Sequence, residues 1–180
     1  MSVDWAEVYR STYRDLVRFL YRKVWDADRA ADLAQEVFVR ALEHSPERPR
    51  AWLFTVASNL ARDEARGAIR RRRHLALVQS EAEAAQAAAA SEPDPVDGLE
   101  QQRRAALVRA ALEQLSERDH DVLLLWQSGL SYREIADQAG LAIGAIGTTL
   151  ARARARLVDA VHEMEQQETE KEGTDDVARR

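Results

Sequence analysis

The feature that most constrains this chain is the spacing of its large apolar side chains, which recur every three or four residues. Leu16, Phe19, Leu20 and Val24 fall on one helical face. So do Leu33, Val37, Phe38 and Ala41, and then Leu53, Val56, Ala57, Leu60 and Ala61. Nothing alternates with period two for long enough to make a strand. Only 7 Gly and 4 Pro interrupt 180 residues, and Ala, Leu, Glu and Arg are frequent, so helix propensity agrees with the pattern. The expected fold class is all-α. Trp5, Tyr9, Tyr13, Phe19, Trp25, Phe38, Trp52 and Phe54 are available to fill a small helical core in the first part of the chain.

Two interruptions divide the sequence. The break His44 to Arg50 (HSPERPR) carries two prolines, which end one helix before it and allow another to start near Ala51. Further on, seven of the nine residues from Ala82 to Ala90 are Ala, and SEPDPVDG follows. Poly-Ala has little large apolar surface to bury, and the Pro and Gly punctuation stops regular structure. Periodicity resumes with Leu107, Val108, Ala111, Leu112 and Leu115. The expected organisation is two small helical domains joined by a flexible linker: a domain over 1–75, the linker over 76–98, a four-helix domain over 99–162, and an acidic, frayed tail over 163–180.

Net charge is −5, but its distribution is uneven. Residues 159–180 hold eight acidic and three basic side chains, whereas residues 62–73 hold six Arg against Asp63 and Glu64. A local basic stripe matters more for phosphate contact than the sum over the chain. The absence of cysteine excludes disulfides, thiolate metal sites and cysteine nucleophiles. His44, His74, His120 and His162 are scattered, without metal-ligand spacing. No phosphate-cradling glycine loop or nucleophile elbow occurs. The expectation is a chain with no enzymatic activity, no metal and no cofactor. Its polar start lacks a signal-peptide pattern, and the longest run of large apolar residues, Val122 to Trp126, is far too short to span a bilayer. That reads as a cytoplasmic protein without membrane contact of its own.

The strongest local motif lies in the second block. Ser131 and Glu134 have the spacing of a capping box, opening a short helix, YREIADQA, that stops at Gly140. A second amphipathic run follows from about Ile143 to Val158, with Ile146, Leu150 and Leu157 facing inward. Ala136, Gly140 and Ile146 stand where a helix-turn-helix needs a small contact, a tight turn and a branched lock. Arg152, Arg154 and Arg156 follow, within reach of phosphates. An ordinary helical hairpin also uses a capped helix and a glycine turn, and the basic extension favours DNA binding over it.

In the first block, Arg62, Arg66, Arg70 and Arg73 recur at spacings of four, four and three, forming one helical stripe just after Trp52 and Phe54. Aromatics beside a basic face can stack unpaired bases while the cations hold the backbone. The aromatics by themselves are better read as core, whereas the Arg stripe is better read as a phosphate-binding face than as a solvated helix end. Asp32, Gln35, Glu36 and Arg40 lie opposite the Leu33, Val37 and Phe38 face, as a solvated side or a docking surface.

Together these segments resemble the extracytoplasmic-function (ECF) sigma factors, small two-domain bacterial initiation factors, over about Val8 to Val158. DRAADLAQEVFVRAL looks like the family's polymerase-binding helix. PRAWLFTVASNLARDEARGAIRRRR looks like its promoter-melting and minus-ten segment, and LEQLSERDHDVLLLWQSGLSYREIADQAGLAIGAIGTTLARARARL like its minus-thirty-five domain. The resemblance implies a dissociable subunit that binds core RNA polymerase and directs promoter recognition and opening. It implies core contacts at Asp32, Gln35, Glu36 and Arg40, and minus-ten contacts at Arg50, Trp52, Asn59, Arg62, Arg66, Arg70 and Arg73. Minus-thirty-five contacts would come from Ser131, Tyr132, Arg133, Ala145, Thr148, Thr149 and Arg152. Core RNA polymerase and promoter DNA are the implied partners, with an anti-sigma factor as a further candidate. One departure stands out: the recognition helix opens with Gly144-Ala145-Ile146-Gly147-Thr148-Thr149 where the family usually carries basic residues. The alternative reading is a polymerase-independent helix-turn-helix regulator whose first domain dimerises or senses.

Overall fold

The computed structural model describes the backbone over residues 3–78 and 97–178, and side chains over 3–67 and 102–167. All regular structure among these residues is helical: α1 (Trp5–Val24), α2 (Ala27–Ala41), α3 (Pro49–Val78), α4 (Asp97–Gln114), α5 (Glu117–Gln127), α6 (Tyr132–Ala139) and α7 (Ile143–Ala178). They form two compact units, one built on α1–α3 and the other on α4–α7, with the stretch Leu124–Glu134 grouped with the first. Of the linker expected over 76–98, residues 76–78 are the last of α3 and 97–98 the first of α4. The remaining span, 79–96, lies outside the described residues.

Local chemistry explains the helix ends. Asp4 caps α1 by accepting from the backbone N–H groups of Ala6 and Glu7 at 3.0 and 3.1 Å. Asp26 caps α2 by accepting from Arg29 N at 2.9 Å. The helix after the proline break starts at Pro49 rather than near Ala51, because proline's fixed φ and missing N–H suit the first helical position. Trp25 ends α1 in the left-handed region at φ 54°, its N–H donating to Tyr21 O at 2.7 Å. A bulky side chain is uncommon there. It is held partly by an edge-on contact with Tyr21 at 5.7 Å.

In the first unit α1, α2 and α3 pack pairwise. Leu16, Phe19 and Leu20 meet Ala30, Leu33, Ala34, Val37, Phe38 and Ala41 of α2 and Leu53, Phe54, Ala57 and Ala61 of α3 in one core. Phe19 and Phe54 cross edge to face at 5.2 Å and 83°. The aromatic core is smaller than the sequence implies. Tyr9 is exposed, and Trp5, Tyr13, Trp25 and Trp52 are half-buried. Wide rings at the rim of a three-helix unit exceed the depth available to cover them.

In the second unit α4 packs on α7. Ala111, Leu112, Val122, Ile135, Ala136, Ile146, Leu150, Ala153 and Ala160 are buried. Val108, placed on the apolar face of α4 by its spacing, is exposed. α7 continues through the acidic stretch to Ala178. Its Glu, Gln, Lys and Met residues are good helix formers, so the helix has no local reason to stop at residue 162.

Candidate polymerase and nucleic-acid interfaces

The burial of Leu33, Ala34, Val37, Phe38 and Ala41 turns the other side of α2 outward. On it Asp32, Gln35 and Arg40 are exposed and Glu36 is half-buried. Arg40 Nη2 donates to Glu36 Oε1 one turn earlier, at 2.5 Å, which orders two long side chains on that face. Arg29 donates across to Glu64 of α3 at 2.6 Å. That hydrogen bond is the main reason the Arg29 guanidinium is held above its ordinary value. Burial opposes it, and the nearby Glu64, Asp32 and Glu36 charges support it. The polar pattern alone missed two residues, Val39 and Leu42, whose apolar side chains are left open at 64% and 70% exposure. Val39 stands one turn on from Gln35 and Glu36, so the outward face is amphipathic. The available signal was that both fall outside the buried stripe.

On α3, Trp52, Asn59 and Arg66 recur every seven residues, a spacing that drifts only about 20° per repeat around the helix. Trp52 is half-buried and Asn59 and Arg66 are exposed. Arg62 Nη1 donates to Asn59 Oδ1 at 3.4 Å, and Arg66 lies 3.9 Å from Asp63. Trp52 sits in a cluster with Trp5 (ring centroids 6.3 Å apart) and His44 (5.0 Å). Arg50 pairs with Asp15 at 2.9 Å and lies 5.3 Å over the Phe54 ring, with its side chain still partly open to solvent. Arg70 and Arg73 belong to α3, and their side chains lie outside the described residues.

α6 and α7 form a helix-turn-helix where the sequence predicts it. Ser131 N donates to Glu134 Oε2 at 2.8 Å, the Ser131 hydroxyl donates to the same oxygen at 2.6 Å, and Glu134 N donates to Ser131 Oγ at 3.4 Å. These bonds hold the Glu134 carboxyl below its ordinary range, the hydroxyl contributing most and the Ser131 N–H next. α6 ends in a left-handed Gly140 at φ 64°, and Leu141 N donates to Ala136 O at 3.0 Å, the long bond of a Schellman motif. Three residues separate α6 from α7, and Ala136 and Ile146 are both buried at the joint.

Of the residues the family resemblance assigns to this reader, Ser131, Tyr132, Arg133, Thr148 and Arg152 are exposed and Ala145 is half-buried. Thr149 is only 4% exposed and faces the core of its own unit. Arg156 differs from the sequence picture. Its Nη1 donates to the buried carboxylate of Asp119 on α5, while the rest of the side chain stays exposed. No cluster of three metal-ligating side chains occurs among the described residues. No helix among them is long and apolar enough to cross a membrane.

Comparison with known proteins accounts for both units. Residues 8–74 match the Sigma-70 region 2 family and residues 98–157 match Sigma-70, region 4. The chain is 36% identical over 139 residues to the ECF RNA polymerase sigma factor EcfG of Rhodopseudomonas palustris, covering 73% of this chain and 71% of that one. It is 35% identical over 157 residues to the ECF RNA polymerase sigma factor SigL of Mycobacterium tuberculosis, covering 81% and 84%. Among solved structures, it resembles the sigma factor RpoE of Bartonella quintana in complex with the anti-sigma factor NepR. That match has a TM-score of 0.63 and 26% identity over 88% of this chain and 97% of the other. With both sigma regions present in order and two relatives above the identity that marks shared family, the chain belongs to the ECF RNA polymerase sigma factors, non-enzymatic subunits that bind core RNA polymerase for promoter-specific initiation.

Proposed function

We propose that the outward face of α2 is the docking surface for core polymerase, and that the α3 stripe holds the melted minus-ten strand. Both would work from one rigid core. Asp32, Gln35 and Glu36 carry the polar part of the first contact, with Arg40 ordering Glu36. Trp52 and Asn59 meet unpaired bases of the second, while Arg62, Arg66 and the Arg70 to Arg73 run hold its backbone. Bases can be read on their pairing edges only after they leave the stack, so an aromatic at one end of a cationic stripe suits a single strand. The α6–α7 pair reads the minus-thirty-five duplex through Tyr132, Arg133, Thr148 and Arg152. An anti-sigma factor is the expected inhibitor, supported by the likeness to a sigma factor crystallised with one. The site of action is the cytoplasm, where core polymerase meets the chromosome.

The observation that carries this proposal is the pair of outward faces on one three-helix core, one amphipathic and one aromatic and basic. The test is transcription in vitro with core polymerase on a genomic promoter pool, with and without the protein. Promoter-specific transcripts that appear only with the protein are expected. Their loss on Arg62→Ala/Arg66→Ala, with core binding intact, would tie the α3 stripe to DNA. Full transcription by that double variant would overturn the assignment.

A further inference from the structure

The outward side of α1 carries a row of cations that neither packing nor capping uses. Arg10, Arg14 and Arg18 recur every four residues, and all three are exposed. Asp15, the one acid between Arg10 and Arg18, pairs with Arg50 of α3 at 2.9 Å. Among the described residues no carboxylate pairs with any of the three arginines. Like charges one turn apart destabilise a helix, so the row repels itself until an anion arrives. The helix dipole favours cations in the last turn only. That accounts for Arg22 and Lys23 and not for the other three.

The row ends on an aromatic ring. Tyr21 stands three residues on from Arg18 and seven from Arg14, on the same side of the helix. It is 42% exposed. Trp25 meets it edge to face, with ring centroids 5.7 Å apart and planes at 78°. Trp25 holds that place from the left-handed region, at φ 54°, where a helix end normally takes Gly or Asn. Strained backbone of this kind collects at binding sites. Its effect here is to back the exposed Tyr21 ring with an indole.

We propose that the outward face of α1 is a second single-strand surface, taking unpaired promoter DNA outside the stretch assigned to α3. Arg10, Arg14 and Arg18 hold its phosphates, and Tyr21 stacks on one base, with Trp25 as its positioning residue. Steps of four residues rise about 6 Å along a helix, so the row spans roughly 12 Å. That is the rise of three to four nucleotides at about 3.4 Å each on one strand. Duplex DNA would satisfy the arginines and leave the ring without a base face to meet, so a single strand fits both parts. The inference rests on the proposed opening of promoter DNA, and is independent of which α3 residues hold it.

The test titrates holoenzyme, assembled from the full chain and core RNA polymerase, against a fluorescent promoter fragment with a premelted bubble. The same fragment, fully paired and kept too cold to open, is the second probe. Arg10→Ala/Arg14→Ala/Arg18→Ala should lower affinity for the bubble about tenfold and flatten its salt slope by about 2 in log–log terms, at roughly 0.7 per single-strand phosphate contact. Core binding and affinity for the paired fragment should stay within about twofold. Tyr21→Ala should weaken bubble binding about fivefold with the slope unchanged, and Tyr21→Phe should bind as wild type. Unchanged bubble affinity and slope in the triple variant would overturn the proposal. So would an equal loss on both probes, which marks a duplex contact, or a loss of core binding, which marks a polymerase contact. A silent Tyr21→Ala overturns the stacking. Arg62→Ala/Arg66→Ala separates the two surfaces. A bubble defect there with the α1 variants silent upholds α3 and overturns this inference, and the converse upholds α1 and overturns α3.

Discussion

The guanidinium of Arg29 on α2 lies 2.6 Å from the carboxylate of Glu64 on α3, joining the helix assigned to polymerase to the helix assigned to DNA. The two side chains are 41% and 26% exposed, so solvent screens the pair and its worth is modest. Arg29→Gln should lower stability by no more than about 1 kcal/mol in chemical denaturation, with a smaller loss in high salt. The guanidinium is held above its ordinary value, first by the hydrogen bond to Glu64, so its contribution is present throughout the working range and is lost only as pH rises through the raised folded value. The penalty should therefore be flat between about pH 6 and 9. A strong pH dependence in that window would show that other groups govern the pair.

The capping box at the start of α6 gives a pH signature of opposite sense. Glu134 is depressed from its ordinary 4.5 by the Ser131 hydroxyl and N–H. A depressed carboxyl contributes stability above its unfolded value, and that stability is lost as pH falls through the folded value. Glu134→Ala should cost about 1 kcal/mol near neutral pH. In urea titrations the difference from wild type should shrink below about pH 4, where the wild-type carboxyl also begins to protonate. An equal penalty at acid and neutral pH would assign the loss to packing instead.

Docking through α2 predicts a binding defect without an unfolding defect. Glu36→Arg reverses a charge on the outward face and sets two cations one turn apart with Arg40, a helix penalty of a few tenths of a kcal/mol. Thermal stability should change little, while affinity for core polymerase in a competition assay falls about tenfold or more. Undiminished affinity would remove this face from the interface.

At the recognition helix, a cation added at residue 144 should differ sharply from one added at residue 149. A side chain built on Gly144 meets nothing within 4 Å. Gly144→Lys should therefore fold normally and tighten binding to minus-thirty-five duplexes, steepening the salt slope by about 0.9 in log–log terms. Its gain in helix propensity is partly offset by placing a cation near a helix N-terminus. Thr149 is only 4% exposed, so Thr149→Arg should destabilise the protein by about 3 kcal/mol or more by forcing a charge into the core. Equal behaviour of the two variants in thermal melts and DNA titrations would contradict this placement.

The helical class, the break before α3, the capped eight-residue α6 and the glycine turn into α7 were legible in the residues themselves. Each follows from interactions within a few positions: apolar spacing, a proline's fixed φ, Ser131 with Glu134, and a left-handed Gly140. Which cations are paired with carboxylates depended on partners distant in sequence. Asp15 takes Arg50, Asp119 takes Arg156 and Glu64 takes Arg29, at separations of about 35 residues. The depth of each small unit decided the rest, covering Phe19 and Phe54 fully while leaving Tyr9, Val39 and Leu42 open and drawing Thr149 inside. Local sequence sets helix and turn because their hydrogen bonds close within four or five residues. The tertiary structure selects the available cations and aromatics, because an ion pair or a buried ring requires another segment to arrive beside it.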